Sequence, residues 1–147
     1  MTRIIIETMK KGHLPEVLAI ERASFSAPWS ERSFYDELHN PSSFSFVAFM
    51  GENVAGYVCA RKLWDEGHIL NLAVRPDMRR QGIGQALALK VVGELRKSAC
   101  RCIYLEVRAS NHEAKKLYEK LGFLVTGTRK AYYEAPKEDA LAMMREC

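Results

Sequence analysis

The stretch of this 147-residue chain whose residue types and spacing most directly imply chemistry is Arg79-Arg80-Gln81-Gly82-Ile83-Gly84-Gln85. It follows Asn71-Leu72-Ala73-Val74, an apolar run that stops at Arg75-Pro76-Asp77 and reads as a buried strand. A segment with apolar residues at helical spacing comes next. The first turn of a helix presents N–H groups without intrahelical partners, and its positive end attracts anions. Arg79 and Arg80 add charge to that end, while Gly82 and Gly84 allow a ligand to approach the backbone without meeting a Cβ. A diphosphate fits this description, although a basic loop with two glycines is on its own also a plain strand-to-helix connection. Two other phosphate motifs are absent. A P-loop ends in Gly-Lys-Ser/Thr, and the dinucleotide fingerprint requires a third glycine or alanine where Leu87 stands.

Single residues add to this. Glu106 interrupts an apolar run at residues 103–107, where a carboxylate is costly unless it is functional or paired, for instance with Arg108. Tyr118 follows Leu117 on a short helical segment and either fills core space or carries chemistry. His68, isolated in a strand, is the kind of histidine that is more often structural. Cys59, Cys100, Cys102 and Cys147 lack paired metal-ligand spacing, so reduced thiols and no metal site are expected.

The elements that must position these residues are legible from periodicity. Arg3-Ile4-Ile5-Ile6-Glu7 reads as a first strand, and Pro15 opens a helix with Leu14, Val17, Leu18 and Ala19 on its apolar face. Phe25-Ser26-Ala27-Pro28-Trp29 breaks the pattern before Ser30 caps a short helix to Leu38. Strands at residues 44–50, 54–63 and 68–74 form an antiparallel succession, joined by turns at Gly51-Glu52-Asn53 and Asp65-Glu66-Gly67. The helix at residues 84–97 crosses over to a buried strand at 103–107, which therefore runs parallel to the strand ending at Val74. Ser110-Asn111-His112-Glu113 caps a helix that ends at Gly122, and residues 123–125, 129–133 and 140–144 read as terminal strands. Glu138 and Asp139 read as turn residues, and strict alternation would turn Tyr132 and Tyr133 to opposite faces.

Size and composition narrow the classes. The chain is long enough for one domain, residues 1–147, and short for two. Hydrophobic content of 48% with 27% charged residues is that of an ordinary globular protein. No apolar run approaches the roughly 20 residues of a membrane span, and the N-terminus lacks a signal-peptide pattern, so a cytoplasmic location is expected. The net charge of +4 is spread along the chain without a basic aromatic tract, so direct nucleic-acid binding is not expected.

A strand followed by Arg-x-x-Gly-x-Gly and a helix resembles the acetyl-coenzyme-A loop of the GNAT superfamily of N-acetyltransferases. The resemblance continues through Leu105-Glu106-Val107-Arg108-Ala109-Ser110-Asn111, Ala114, Leu117-Tyr118-Glu119-Lys120-Leu121-Gly122-Phe123, Arg129-Lys130-Ala131-Tyr132-Tyr133 and Glu138-Asp139-Ala140. It covers the chain from Pro28-Trp29-Ser30 to about Met144 and is closest in pattern to the RimI-type branch, which acetylates protein N-terminal amines. The implied fold is the α/β (α+β) GNAT acyl-CoA N-acyltransferase fold, a mixed central sheet of about seven strands with about four helices and splayed parallel strands 4 and 5.

The resemblance also implies a function. It is acetyl transfer from acetyl-CoA, by direct attack in a ternary complex, to the N-terminal alanine of a small-subunit ribosomal protein. The alternative is a GNAT enzyme of broader N-terminal, lysine or small-amine specificity. The cofactor residues implied are Leu72, Ala73 and Val74 for the pantetheine arm, Arg79, Arg80, Gln81, Gly82, Ile83, Gly84 and Gln85 for the diphosphate, and Asn111. Glu106 would be the general base and Tyr118 the acid that protonates the departing thiolate, with Glu66 as rival base and His68 as a third candidate. The loop from Phe25 to Ser30 and Tyr132-Tyr133 would border the peptide.

Overall fold

The computed structural model describes residues 3–134 and 136–147. In chain order the elements are β1 (Ile4–Thr8), α1 (Leu14–Ser24), α2 (Glu31–Leu38), β2 (Ser43–Met50), β3 (Asn53–Leu63), β4 (Glu66–Val74), α3 (Ile83–Lys97), β5 (Cys102–Arg108), α4 (His112–Lys120), β6 (Leu124–Glu134) and β7 (Lys137–Glu146). The seven strands make one sheet in the order β1-β2-β3-β4-β5-β7-β6, with β4 and β5 its parallel pair.

Strand alternation sends side chains to two cores. On one face Ala55, Val58 and Ala60 of β3 and Ile103, Leu105 and Val107 of β5 pack under Leu87, Val91 and Leu95 of α3 and Tyr118 of α4. On the other face Val54, Tyr57 and Cys59 meet Val17 and Ile20 of α1 and Phe34 of α2. Glu106 therefore stands with Tyr104 and Arg108 on the face of β5 opposite α3, and the strand that reads as buried in sequence has a polar side.

Three expectations differ from the structure. The β3–β4 turn is Trp64-Asp65, and Gly67 lies inside β4, where a Cβ would come within 2.9 Å of Leu95 Cδ1. That glycine answers to helix packing and not to a turn. The terminal segments merge into two long strands, and Glu138 and Asp139 sit in β7, where their carboxylates accept backbone N–H groups from Ser110 and Ala131. Tyr132 and Tyr133 do not part to opposite sides. The β6–β7 register shifts between Arg129 and Tyr133, with Ala131 at φ 52°, and both rings border one cleft in edge contact. No helix among the described residues is long and apolar enough to cross a membrane.

Candidate active site

β4 and β5 pair only at Glu66/Cys102, Gly67/Ile103 and His68/Tyr104, and beyond that point they part. β3 explains how β4 leaves. Its pairing passes from Cys59/Asn71 to Ala60/Ile69, so Leu70 is an extra residue and β4 carries a bulge. Past the bulge the ladder regains its alternation, and the Arg75 N–H donates to the Ala55 carbonyl at 2.7 Å. Tyr57 and Ala73 therefore exchange bonds, while Leu72 and Val74 turn their N–H and C=O groups away from β3 into the gap. One of these, the Val74 carbonyl, accepts from Arg79 Nε at 3.3 Å.

α3 begins beside the wide end of this gap. Gly82 is its N-cap at φ 80°, a left-handed conformation that favours glycine, and no side chain caps the N–H groups of the first turn. That turn holds no acidic residue. Gly84 lies against Val74, Leu72 and Leu117, so the helix tip, the β4 end and α4 converge. Arg80 reaches Glu113 of α4 at 3.8 Å across the surface.

A cleft of about 630 Å³ opens at the parted strands, lined by residues of both α1 and α4. Its floor includes Asn71, Leu72, Leu105 and Glu106. Phe25, Ser26 and Trp29 of the α1–α2 loop form one wall, and Tyr132 and Tyr133 form another. Glu106 is partly exposed, with Oε1 3.5 Å from the guanidinium of Arg129 and Oε2 buried without a hydrogen-bond partner among the described residues. Tyr118 borders the cleft with 5% of its surface exposed, packed edge-on against Phe123. Burial pushes its phenol well above the ordinary value. A carboxylate with one oxygen left without a hydrogen-bond partner among the described residues and a protonated phenol around one opening are suited to moving protons in opposite directions.

The sequence profile of the acetyltransferase (GNAT) family matches residues 14–123, three quarters of the chain. The chain belongs to the GNAT acetyltransferase family. It is 37% identical over 143 residues to a protein of Bacillus subtilis provisionally named a ribosomal protein bS18-alanine N-acetyltransferase, covering 97% of this chain and 95% of that one. It is 35% identical over 140 residues to the ribosomal protein bS18-alanine N-acetyltransferase of Escherichia coli, covering 94% of each. The crystal structure of the Escherichia coli ribosomal-protein-S18-alanine N-acetyltransferase superposes with a TM-score of 0.90 at 34% identity, over 98% of this chain and 94% of that one. The opened β4–β5 pair is the splay of parallel strands 4 and 5 that the resemblance implied.

Within this GNAT fold the structure brings Glu106, Tyr118, Leu72 and Asn111 to one cleft, and it sets residues 79–85 at the α3 tip beyond its end. Asn111 caps α4 by accepting the Ala114 N–H at 3.1 Å. Glu66 does not reach the cleft; it is half exposed at the closed end of the β4–β5 pair, 3.2 Å from His68. His68 does border the cleft, stacked on Tyr104. Arg108 is not the partner of Glu106. Its guanidinium lies over the Tyr133 ring and donates to the Pro136 carbonyl, Glu138 and Ser26 Oγ, joining the two walls. Sequence reading also passed over Glu21, a buried carboxylate in the cleft lining. Its four-residue spacing from Val17 on an apolar helix face is the signal that marks it.

Proposed function

We propose that this acetyltransferase uses acetyl-CoA to acetylate the N-terminal α-amine of a protein, with the N-terminal alanine of a small-subunit ribosomal protein as acceptor, by direct attack in a ternary complex. The observation that carries this reading is the gap between β4 and β5, whose unpaired backbone edge joins an uncapped helix tip to a cleft holding Glu106 and Tyr118. The names and near-complete coverage of the relatives support the acceptor class.

The residues present fit acetyl-CoA. The free N–H groups at Ile83, Gly84 and Gln85, with Arg79, Arg80, Gln81 and Gly82 around them, suit a diphosphate. The Leu72 and Val74 backbone groups can pair with the amides of the pantetheine arm as an added strand would, while Ala73 between them keeps β4 tied to β3. Asn111 lines the cleft while capping α4, and would contact the same arm. Bound acetyl-CoA supplies an activated acyl group and a thiolate leaving group. The Leu72 N–H is the donor for charge developing on the acyl oxygen. Glu106 would take a proton from the acceptor's ammonium, directly or through water, so that the neutral amine attacks the acyl carbon, and Tyr118 would give its proton to the departing sulfur. An α-amine with a pKa of about 8 needs only a carboxylate for this, whereas a lysine near 10.4 holds its proton more tightly. The scheme calls for no metal ion, membrane or nucleic acid, and a ribosomal-protein acceptor supports a cytoplasmic location.

The test is incubation with acetyl-CoA and peptides beginning with Ala, Ser or Met, together with polyamines, followed by mass spectrometry. The expected product carries one acetyl group on the α-amine of the alanine peptide. Faster transfer to lysine side chains or polyamines would instead favour the broader specificity.

A further inference from the structure

Glu21 lies on the buried face of α1 and is 1% exposed. No cation pairs with it among the described residues. Its carboxylate instead accepts three neutral donors from three other parts of the chain: the Trp29 N–H at 2.8 Å, the Asn71 side-chain amide at 2.7 Å and the Tyr57 hydroxyl. A carboxylate buried without a counter-ion is costly, and an apolar side chain on this helix face would carry no such penalty. An acceptor-only group satisfies all three donors as they stand, whereas an amide suits them only once the Tyr57 hydroxyl and the Asn71 amide turn round to accept.

The donors identify what is being held. Trp29 belongs to the loop that walls the cleft. Asn71 immediately follows the bulged Leu70, and the bulge decides that Leu72 points its N–H into the gap. Tyr57 lies opposite Ala73, next along the same ladder. We propose that Glu21 is a positioning residue for acetyl transfer, fixing the β4 bulge and the substrate-side loop to one point of α1 so that donor and acceptor meet in register. This rests on the acyl-transfer reading of the cleft.

The experiment compares kcat and peptide KM for Glu21→Ala, Glu21→Gln, Asn71→Ala and the Glu21→Ala/Asn71→Ala double variant, each well below its own Tm. Glu21→Ala and Asn71→Ala should each lower kcat by about tenfold or more, since displacements near 1 Å cost up to about 10²-fold. Only Glu21→Ala, which also frees Trp29, should raise peptide KM. The double variant should be no more than about twofold slower than Glu21→Ala alone, because both remove the same restraint. Glu21→Gln should recover most of the lost kcat, as the Tyr57 hydroxyl and the Asn71 amide can both turn round to accept from it. Wild-type kcat in folded Glu21→Ala, or a double variant slowed by the product of the single effects, overturns the proposal. If Glu21→Ala fails to fold, wild-type kcat in Asn71→Ala overturns it equally. A wild-type protein that acetylates no peptide at all instead defeats the acyl-transfer reading beneath it.

Discussion

At the scale of single residues, Tyr118 and Glu106 face opposite demands. Burial raises the Tyr118 phenol above its ordinary value of 10.0, so the protonated form, the only one able to act as an acid, persists throughout neutral and mildly alkaline pH. The kcat profile should therefore rise toward pH 8 as the substrate amine loses its proton and then stay level to about pH 10. A fall between pH 8 and 9.5 that disappears in Tyr118→Phe would contradict this. Tyr118→Phe itself should lower kcat by about 10²-fold or more while leaving CoA affinity nearly intact; unchanged turnover would remove the acid role. Glu106→Gln should lose most activity near neutral pH and regain part of it at higher pH, where more acceptor is already neutral. Glu66, half exposed at the closed end of the strand pair, should tolerate Glu66→Gln. A larger loss there than at Glu106 would reassign the base.

At the scale of elements, the α3 tip and the two cleft walls have separable duties. Charge reversal at Arg79 and Arg80 should weaken CoA binding before it affects peptide, measured by titration calorimetry. Gly82→Ala should add a backbone cost of about 1–2 kcal/mol at the left-handed N-cap. Arg108 rises from β5 and touches both walls, through Ser26 Oγ on one side and the Pro136 carbonyl, Glu138 and the Tyr133 ring on the other. Arg108→Ala should raise peptide KM more than it lowers kcat. Arg108→Lys should not restore it, because a lysine lacks the planar fork that reaches several acceptors at once and stacks on an aromatic ring. A variant with wild-type peptide KM would show that the walls hold their spacing without this link.

At the scale of the whole molecule, α3 can lie flat on the sheet only because β3 lacks a side chain beneath it. A Cβ at Gly56 would come within 2.8 Å of the Ala73 carbonyl and 3.2 Å of Ile83 and Leu87. Gly56→Ala should therefore destabilise the fold by about 1–3 kcal/mol. It should also disturb the β4 end that borders the gap, which thermal unfolding and CoA affinity would report together. An unchanged Tm would mean that α3 shifts away freely.

The sequence by itself determined the order of strands and helices, the parallel crossover through α3 and the anion-binding character of residues 79–85. These depend on local signals, namely hydrophobic period, glycine and proline placement, and charge next to a helix start; an anion-binding role for residues 79–85 is a proposal built on the last of them. Leu72, Ala73 and Val74 were legible as a strand end, but which of them turns toward the gap depends on pairing with β3 across the bulge at Leu70, a contact between residues far apart in the chain. For the same reason Tyr132 and Tyr133 were expected on opposite faces, while the register shift that gathers them depends on Asp139 accepting the Ala131 N–H. Only the tertiary structure showed that Glu106 lies at the open end and Glu66 at the closed end of one strand pair, because how far β4 pairs with β5 is a long-range contact. Glu21 shows the same division most plainly. Its burial follows from helical spacing, but its three donors come from a loop and two strands that only folding brings together.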